Sequence, residues 1–150
     1  MSDAIRESVK LSAPPEEVWA LVMDPHRLGD WVTTHDSVAE VPEEGLSQGA
    51  SFRQKLKLAG TKFEVRWTVT ECERPRAARW EGEGPRGSKA RVRYELSPEN
   101  GGTRFDYENQ FELPGGVFGR VASGLLSAAP GRREARRTLE NLKRVVESGD

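Results

Sequence analysis

Along most of residues 51–113 apolar and polar side chains alternate, and this alternation restricts the fold more than any other feature of the chain. Phe52, Gln54, Leu56 and Leu58 fall on one side of a stretch whose other side carries Arg53, Lys55 and Lys57. Phe63, Val65, Trp67 and Val69 alternate with Lys62, Glu64, Arg66 and Thr68, and Ala78 and Trp80 share one side of a shorter stretch. Ala90, Val92, Tyr94 and Leu96 alternate with Lys89, Arg91, Arg93 and Glu95. Phe105, Tyr107, Asn109, Phe111 and Leu113 do the same with Arg104, Asp106, Glu108, Gln110 and Glu112. A period of two puts successive side chains on opposite faces of a strand, so each segment has one wet face and one buried face. The joints are turns: Gly60, Arg74-Pro75-Arg76, the glycine-rich loop 82–87, and 97–102, where glycines are available for positive φ. Strands so patterned and so closely joined make an antiparallel meander with a single apolar face, and that face needs a cover.

The C-terminal segment supplies the cover. Ala135, Leu139, Leu142 and Val146 form one narrow stripe at helical spacing among charged neighbours. Ala128, Leu125, Val121 and Phe118 continue the stripe upstream, and Pro130-Gly131 interrupts it, where a kink or break is expected. At the other end, Ile5, Val9 and Leu11 mark a first strand. A helix follows, with Ser12 or a neighbour as its cap, proline in its first turn, Glu16 and Glu17 near its positive end, and Val18, Trp19, Leu21 and Val22 on its buried side. Asp24-Pro25 ends it and starts a second short helix over 25–31 with Leu28 and Trp31 inward. Residues 34–41 form a weakly patterned strand closed by the turn 42–45. The expected order is strand, two short helices, six strands and a long helix, in a single domain over 1–150.

Composition narrows the function classes. With 35% hydrophobic and 31% charged residues, the apolar groups are few and must be placed economically. A net charge of -1 gives no global pull toward nucleic acid or an anionic membrane. The arginines at 132, 133, 136 and 137 are interleaved with Glu134 and Glu140, which describes a solvated mixed-charge surface and no nucleic-acid partner. Cys72 is the single cysteine, so no internal disulfide forms and a reducing cytoplasm suits the chain. The start shows no cationic segment leading into an apolar one, and the apolar run 19–23 is far too short for stable membrane insertion.

The run from Val9-Lys10-Leu11-Ser12-Ala13-Pro14-Pro15-Glu16-Glu17-Val18-Trp19 into Asp24-Pro25-His26-Arg27-Leu28-Gly29-Asp30-Trp31 resembles the START-related SRPBCC superfamily, the helix-grip fold. Gly49-Ala50-Ser51-Phe52 opening a strand, and Leu139-Glu140-Asn141-Leu142-Lys143-Arg144 with Glu147 near the end, strengthen the likeness, in particular to the polyketide cyclase/dehydrase-like branch. The resemblance covers nearly the whole chain. It implies an α+β helix-grip fold: a curved seven-stranded antiparallel sheet around a long C-terminal helix, with two short helices between strands 1 and 2. It also implies a cavity between sheet and helix for a small hydrophobic ligand. Members range from lipid and hormone carriers to aromatase/cyclases and quinone-binding proteins, so the fold leaves the function open.

The faces turned inward define the candidate site. Phe52, Gln54, Leu56, Phe63, Val65, Trp67, Trp80, Val92, Tyr94, Phe105, Tyr107 and Asn109 come from the strands, Trp31 from the second helix, and Phe118, Val121 and Leu125 from the upstream stripe. Gln54, Tyr94, Tyr107 and Asn109 carry polar atoms that must pair with each other, with the helix backbone, or with a ligand. His26 is expected at the surface. His35, four residues after Trp31, is expected in solvent near the cavity mouth, and neither histidine has the grouped partners a metal needs. Cys72 reads as buried filler whose neighbours Glu71 and Glu73 raise the thiol pKa. Residues 114–126, with four glycines, suggest a lid. The leading reading is a protein that binds a lipid-, quinone- or polyketide-like molecule without metal or cofactor, as a monomer or weak homodimer. The alternatives are a cofactor-independent cyclase or dehydratase and a module that docks a protein or membrane.

Overall fold

The computed structural model describes residues 4–58, 60–112 and 128–148. One sheet contains β1 (Ile5–Leu11), β2 (His35–Ala39), β3 (Ser51–Leu58), β4 (Thr61–Glu73), β5 (Ala77–Glu83), β6 (Lys89–Glu99) and β7 (Gly102–Glu112). Its order is β1-β7-β6-β5-β4-β3-β2, with every neighbouring pair antiparallel. Only β1 leaves the meander. Two short helices, α1 (Pro15–Val22) and α2 (Leu28–Trp31, entered through a 3-10 turn at Pro25–Arg27), carry the chain from β1 to the far edge at β2. The C-terminal helix α3 spans Ala128–Ser148. This is the expected α+β architecture.

Local chemistry explains most boundaries. Pro15 opens α1, where its missing N–H is not needed, and Glu16 and Glu17 sit at the positive end of the dipole. The cap is Pro14, a neighbour of Ser12, and no side chain bonds there; the Ser12 hydroxyl donates instead to Glu147 Oε2 at 3.1 Å. Asp24 accepts the amide of His26 at 3.0 Å and thereby starts the 3-10 turn. Asn100 and Gly101 both have positive φ, 49° and 81°, the pairing a two-residue hairpin turn requires. That turn is tighter than the sequence suggests, and Ser97 and Pro98 lie within β6. Pro130 and Gly131 lie near the start of the described part of α3, and the upstream stripe, with the kink or break expected where they meet, lies outside the described residues.

The core sits between the inner sheet face and the helices. On α3 the stripe Ala135, Leu139 and Leu142 is buried, and the helix lies along β1 and α2. Thr138 Oγ1 accepts the amide of Thr33 at 3.2 Å, Asn141 donates to the carbonyl of Trp31 at 3.3 Å, and Arg136 pairs with Glu7 of β1 at 2.7 Å. These bonds hold α2, and with it Trp31, against the sheet. Gly82 of β5 faces inward between Trp67 and Ala90. A Cβ there would stand 2.5 Å from Val65 Cγ1 and 2.8 Å from Trp67 Cε3, so the Trp67 indole lies directly over the backbone of β5. Gly82→Ala is therefore expected to lower stability by about 1–3 kcal/mol through overpacking. A urea midpoint equal to that of the parent protein would contradict this packing.

Candidate functional site

The strand register sorts the inner face into rows. Val69, Trp80, Val92, Asn109 and Ile5 lie side by side across β4, β5, β6, β7 and β1. The next row is Cys72, Ala78, Tyr94, Tyr107 and Glu7, and beyond it Leu96, Phe105 and Val9 are neighbours. Rings dominate where these rows meet. Tyr94 is within 5.3 Å of both Trp80 and Phe105, centroid to centroid, and 6.0 Å from Tyr107. Phe52 and Trp67 extend the wall through Trp80 at 5.4 and 5.9 Å. From α2, the fully buried Trp31 meets Tyr94, Phe105 and Tyr107 at 5.9, 6.2 and 6.5 Å, mostly edge to face. Each such contact adds roughly 0.5–1.5 kcal/mol beyond area burial, so the wall is a stiff surface.

One buried chain of hydrogen bonds runs through this wall. Trp67 Nε1 donates to Gln54 Oε1 at 2.8 Å, and Gln54 Nε2 lies 2.9 Å from His35 Nδ1. An indole nitrogen is only ever a donor, so the Gln54 oxygen must face Trp67 and its amino group must face the histidine. The amino group donates, and Nδ1 of His35 therefore accepts with its lone pair. The remaining proton sits on Nε2. Protonating His35 would place an N–H against the Gln54 amino group, and burial already lowers the pKa of the imidazole, with Asp36 acting the other way. His35 is thus a neutral ring with its N–H on Nε2. Its ring edge rests against Gly29, where an added Cβ would come to 3.3 Å from Cδ2.

The other polar groups of the wall are also held protonated or paired. Burial raises the Tyr107 hydroxyl to about 12, with a hydrogen bond to Asn109 opposing, and raises that of Tyr94 well above its ordinary value, reinforced by Tyr107. Glu7 on the inner side of β1 is engaged by Arg136. The indole N–H groups of Trp31 and Trp80 are buried and have no hydrogen-bond partner among the described residues.

Of the residues expected at the site, Trp31, Phe52, Gln54, Val65, Trp67, Trp80, Val92, Tyr94, Phe105 and Tyr107 are buried together. Leu56, Phe63 and Asn109 are half-buried, with Phe63 reaching across to Phe111 at 5.6 Å. Phe118, Val121 and Leu125, with the expected lid 114–126, lie outside the described residues. His26 is exposed as expected. His35 is not in open solvent: it is half-buried and tied to Gln54. Cys72 is half-buried, and burial rather than its acidic neighbours raises its thiol pKa, with Arg74 opposing. The sequence reading missed Glu7 as an inner-face residue and Asn141 as a clamp, and it placed Phe111 on the inner face without including it in the site. The period of β1 already pointed to Glu7. On the outer face two concavities are lined by charges that neutralise each other, Arg6 with Glu108 at 2.9 Å and Arg104 with Asp106 at 3.2 Å among them.

Comparison with known proteins adds the following. The family model described as "Polyketide cyclase / dehydrase and lipid transport" matches residues 3–147. The Mycobacterium tuberculosis (strain H37Rv) protein named Toxin Rv0910 is 25% identical over 138 residues, covering 92% of this chain and 94% of that protein. The uncharacterized protein Rv1546 of the same strain is 29% identical over 130 residues, covering 83% and 89%. The crystal structure of protein CV1439 from Chromobacterium violaceum superimposes with a TM-score of 0.75 at 18% identity, covering 96% of each chain. That likeness is one of fold.

The state of His35 makes a prediction about pH. A histidine whose folded pKa lies below its ordinary value of 6.5 stabilises the fold while neutral, because the unfolded chain takes up the proton first. Its contribution is complete above that value and declines as pH falls from there toward the folded pKa. Urea midpoints should accordingly drop between pH 7.5 and 5.5, and His35→Asn, which keeps an acceptor for Gln54, should flatten that drop. A slope unchanged by the substitution would refute the neutral, accepting imidazole.

Proposed function

Because the chain belongs to the polyketide cyclase/dehydrase and lipid transport family, we propose that it binds a small hydrophobic or aromatic-polycyclic molecule between the sheet and the C-terminal helix. The observation that carries this reading is the continuous ring wall of Trp80, Tyr94, Phe105 and Tyr107 on the inner face of the sheet, met by Trp31 of α2. Flat, rigid rings offer a guest large contact area with little side-chain entropy to lose. The polar atoms set among them, on Asn109 and the two tyrosines, give such a wall the few fixed directions that orient a guest.

A second reading, a cofactor-independent cyclase or dehydratase, draws on His35, a half-buried imidazole fixed in one tautomer. An enol-forming or dehydrating step needs a group that accepts a proton. The lone pair of His35 is occupied by Gln54, Tyr94 and Tyr107 hold their protons, and the Glu7 carboxylate is paired. The described groups therefore favour binding over proton transfer, with His35 able to donate a hydrogen bond through Nε2.

Native mass spectrometry of protein purified from its own host should reveal a stoichiometric small molecule, and removing it should lower the melting temperature. Saturating the emptied protein with an apolar aromatic guest at a hundredfold excess over its Kd should add about 2.7 kcal/mol of stability. It should also shift tryptophan emission. If no molecule co-purifies, and no guest from a panel changes either the melting temperature or the emission, the binding reading is wrong.

A further inference from the structure

Four tryptophans occur in the chain, and three of them meet in the inner wall. Their indole N–H groups are treated differently. That of Trp67 has Gln54 as its acceptor at 2.8 Å. Those of Trp31 and Trp80 are buried as well, the residues 0% and 2% exposed, and neither has an acceptor among the described residues. A buried donor left unpaired is costly, and native interiors rarely tolerate one without a reason. Here two such indoles pack against one ring, because Trp31 and Trp80 both meet Tyr94, at centroid distances of 5.9 and 5.3 Å.

We propose that Trp31 and Trp80 determine specificity, each holding out its indole N–H for an acceptor oxygen of the bound molecule. This rests on the binding reading above and goes further by naming what the guest must carry. An indole can only donate, so the partner must present a lone pair and need present no hydrogen. A ring-bound carbonyl does this without bringing in charge. A carboxylate would need a compensating cation, and Arg136, which meets the inner row at Glu7, is committed to that carboxylate. Trp31 comes from α2 and Trp80 from β5, so the two donors are fixed by different elements and select a guest whose oxygens are held rigidly apart. The class is a neutral, flat ring system bearing carbonyl oxygens, in preference to a hydrocarbon of the same outline or to a flexible acyl chain.

A matched pair of probes tests this: 2-(hydroxymethyl)anthraquinone and 2-(hydroxymethyl)anthracene, which share size and outline but differ in the ring carbonyls. Affinities come from titration of the full chain followed by tryptophan fluorescence. The quinone should bind at least ten-fold more tightly. In 1H–15N spectra of the indole groups, it should move the Trp31 and Trp80 Nε1 protons downfield while Trp67 moves least. Trp31→Phe and Trp80→Phe should each reduce the ten-fold preference while retaining hydrocarbon binding, and Trp19→Phe should leave the preference intact. Equal affinity for the two probes would overturn the assignment while leaving the binding reading standing. Binding of neither would remove both. Should a phenylalanine variant fail to fold, the indole spectra of the parent protein decide. Trp31 and Trp80 signals already downfield in the free protein and unmoved by quinone would mean that water holds these donors, and the proposal would fall.

Discussion

Burial of one face of an antiparallel sheet is the constraint from which the rest of this structure follows. Seven strands expose arginines, lysines and carboxylates on one side and present rings and aliphatic groups on the other. Removing that second side from water is the dominant favourable term, and it obliges the chain to provide a cover. The short helices and α3 answer that need at the β1 side, where Thr138, Asn141 and Arg136 fasten α3 to the α2 region and to β1. Trp31 links the two layers: it is carried by the clamped helix and packs into the rings of β6 and β7.

A face built mainly of rings cannot be wholly apolar, because indoles and phenols bring polar atoms with them. How each atom is treated separates structure from binding. Trp67 is satisfied internally through Gln54, and that bond propagates to His35, where it fixes the tautomer. The consequence is chemical as well as structural, since the histidine becomes a donor at Nε2 with no free basic nitrogen. Trp31 and Trp80 keep buried indole donors with no partner among the described residues. The same wall therefore contains a paired polar chain beside two unpaired donors.

Much of this was legible in the sequence for a physical reason. Period-two alternation reports directly on which side chains share a face, and Gln54, Trp67, Trp80, Tyr94, Phe105 and Tyr107 all lie where it places them. The same signal says nothing about which polar atoms meet, because pairing depends on register and curvature. His35 shows the gap. Between His35 and Ser37 the pairing of β2 with β3 shifts register, so His35 and Val38 face inward together despite their odd spacing. A weak strand containing a bulge has no clean period, and the pattern accordingly leaves His35 in solvent. The clamp of Asn141 on the carbonyl of Trp31 joins residues 110 positions apart, beyond any local pattern. The extent of β6 and β7 was underestimated because Pro98 suggested a turn, whereas Asn100-Gly101 alone makes it.

Whether the ring wall accepts a guest at all is the claim on which the functional reading turns. Crystals held under xenon pressure address it directly, since xenon enters dry apolar space and nothing else of comparable size. Xenon density against Tyr94, Trp80 and Val92 on the inner face is the predicted result. Crystals that take up no xenon there, with those side chains in unbroken contact with the helices above them, would contradict it.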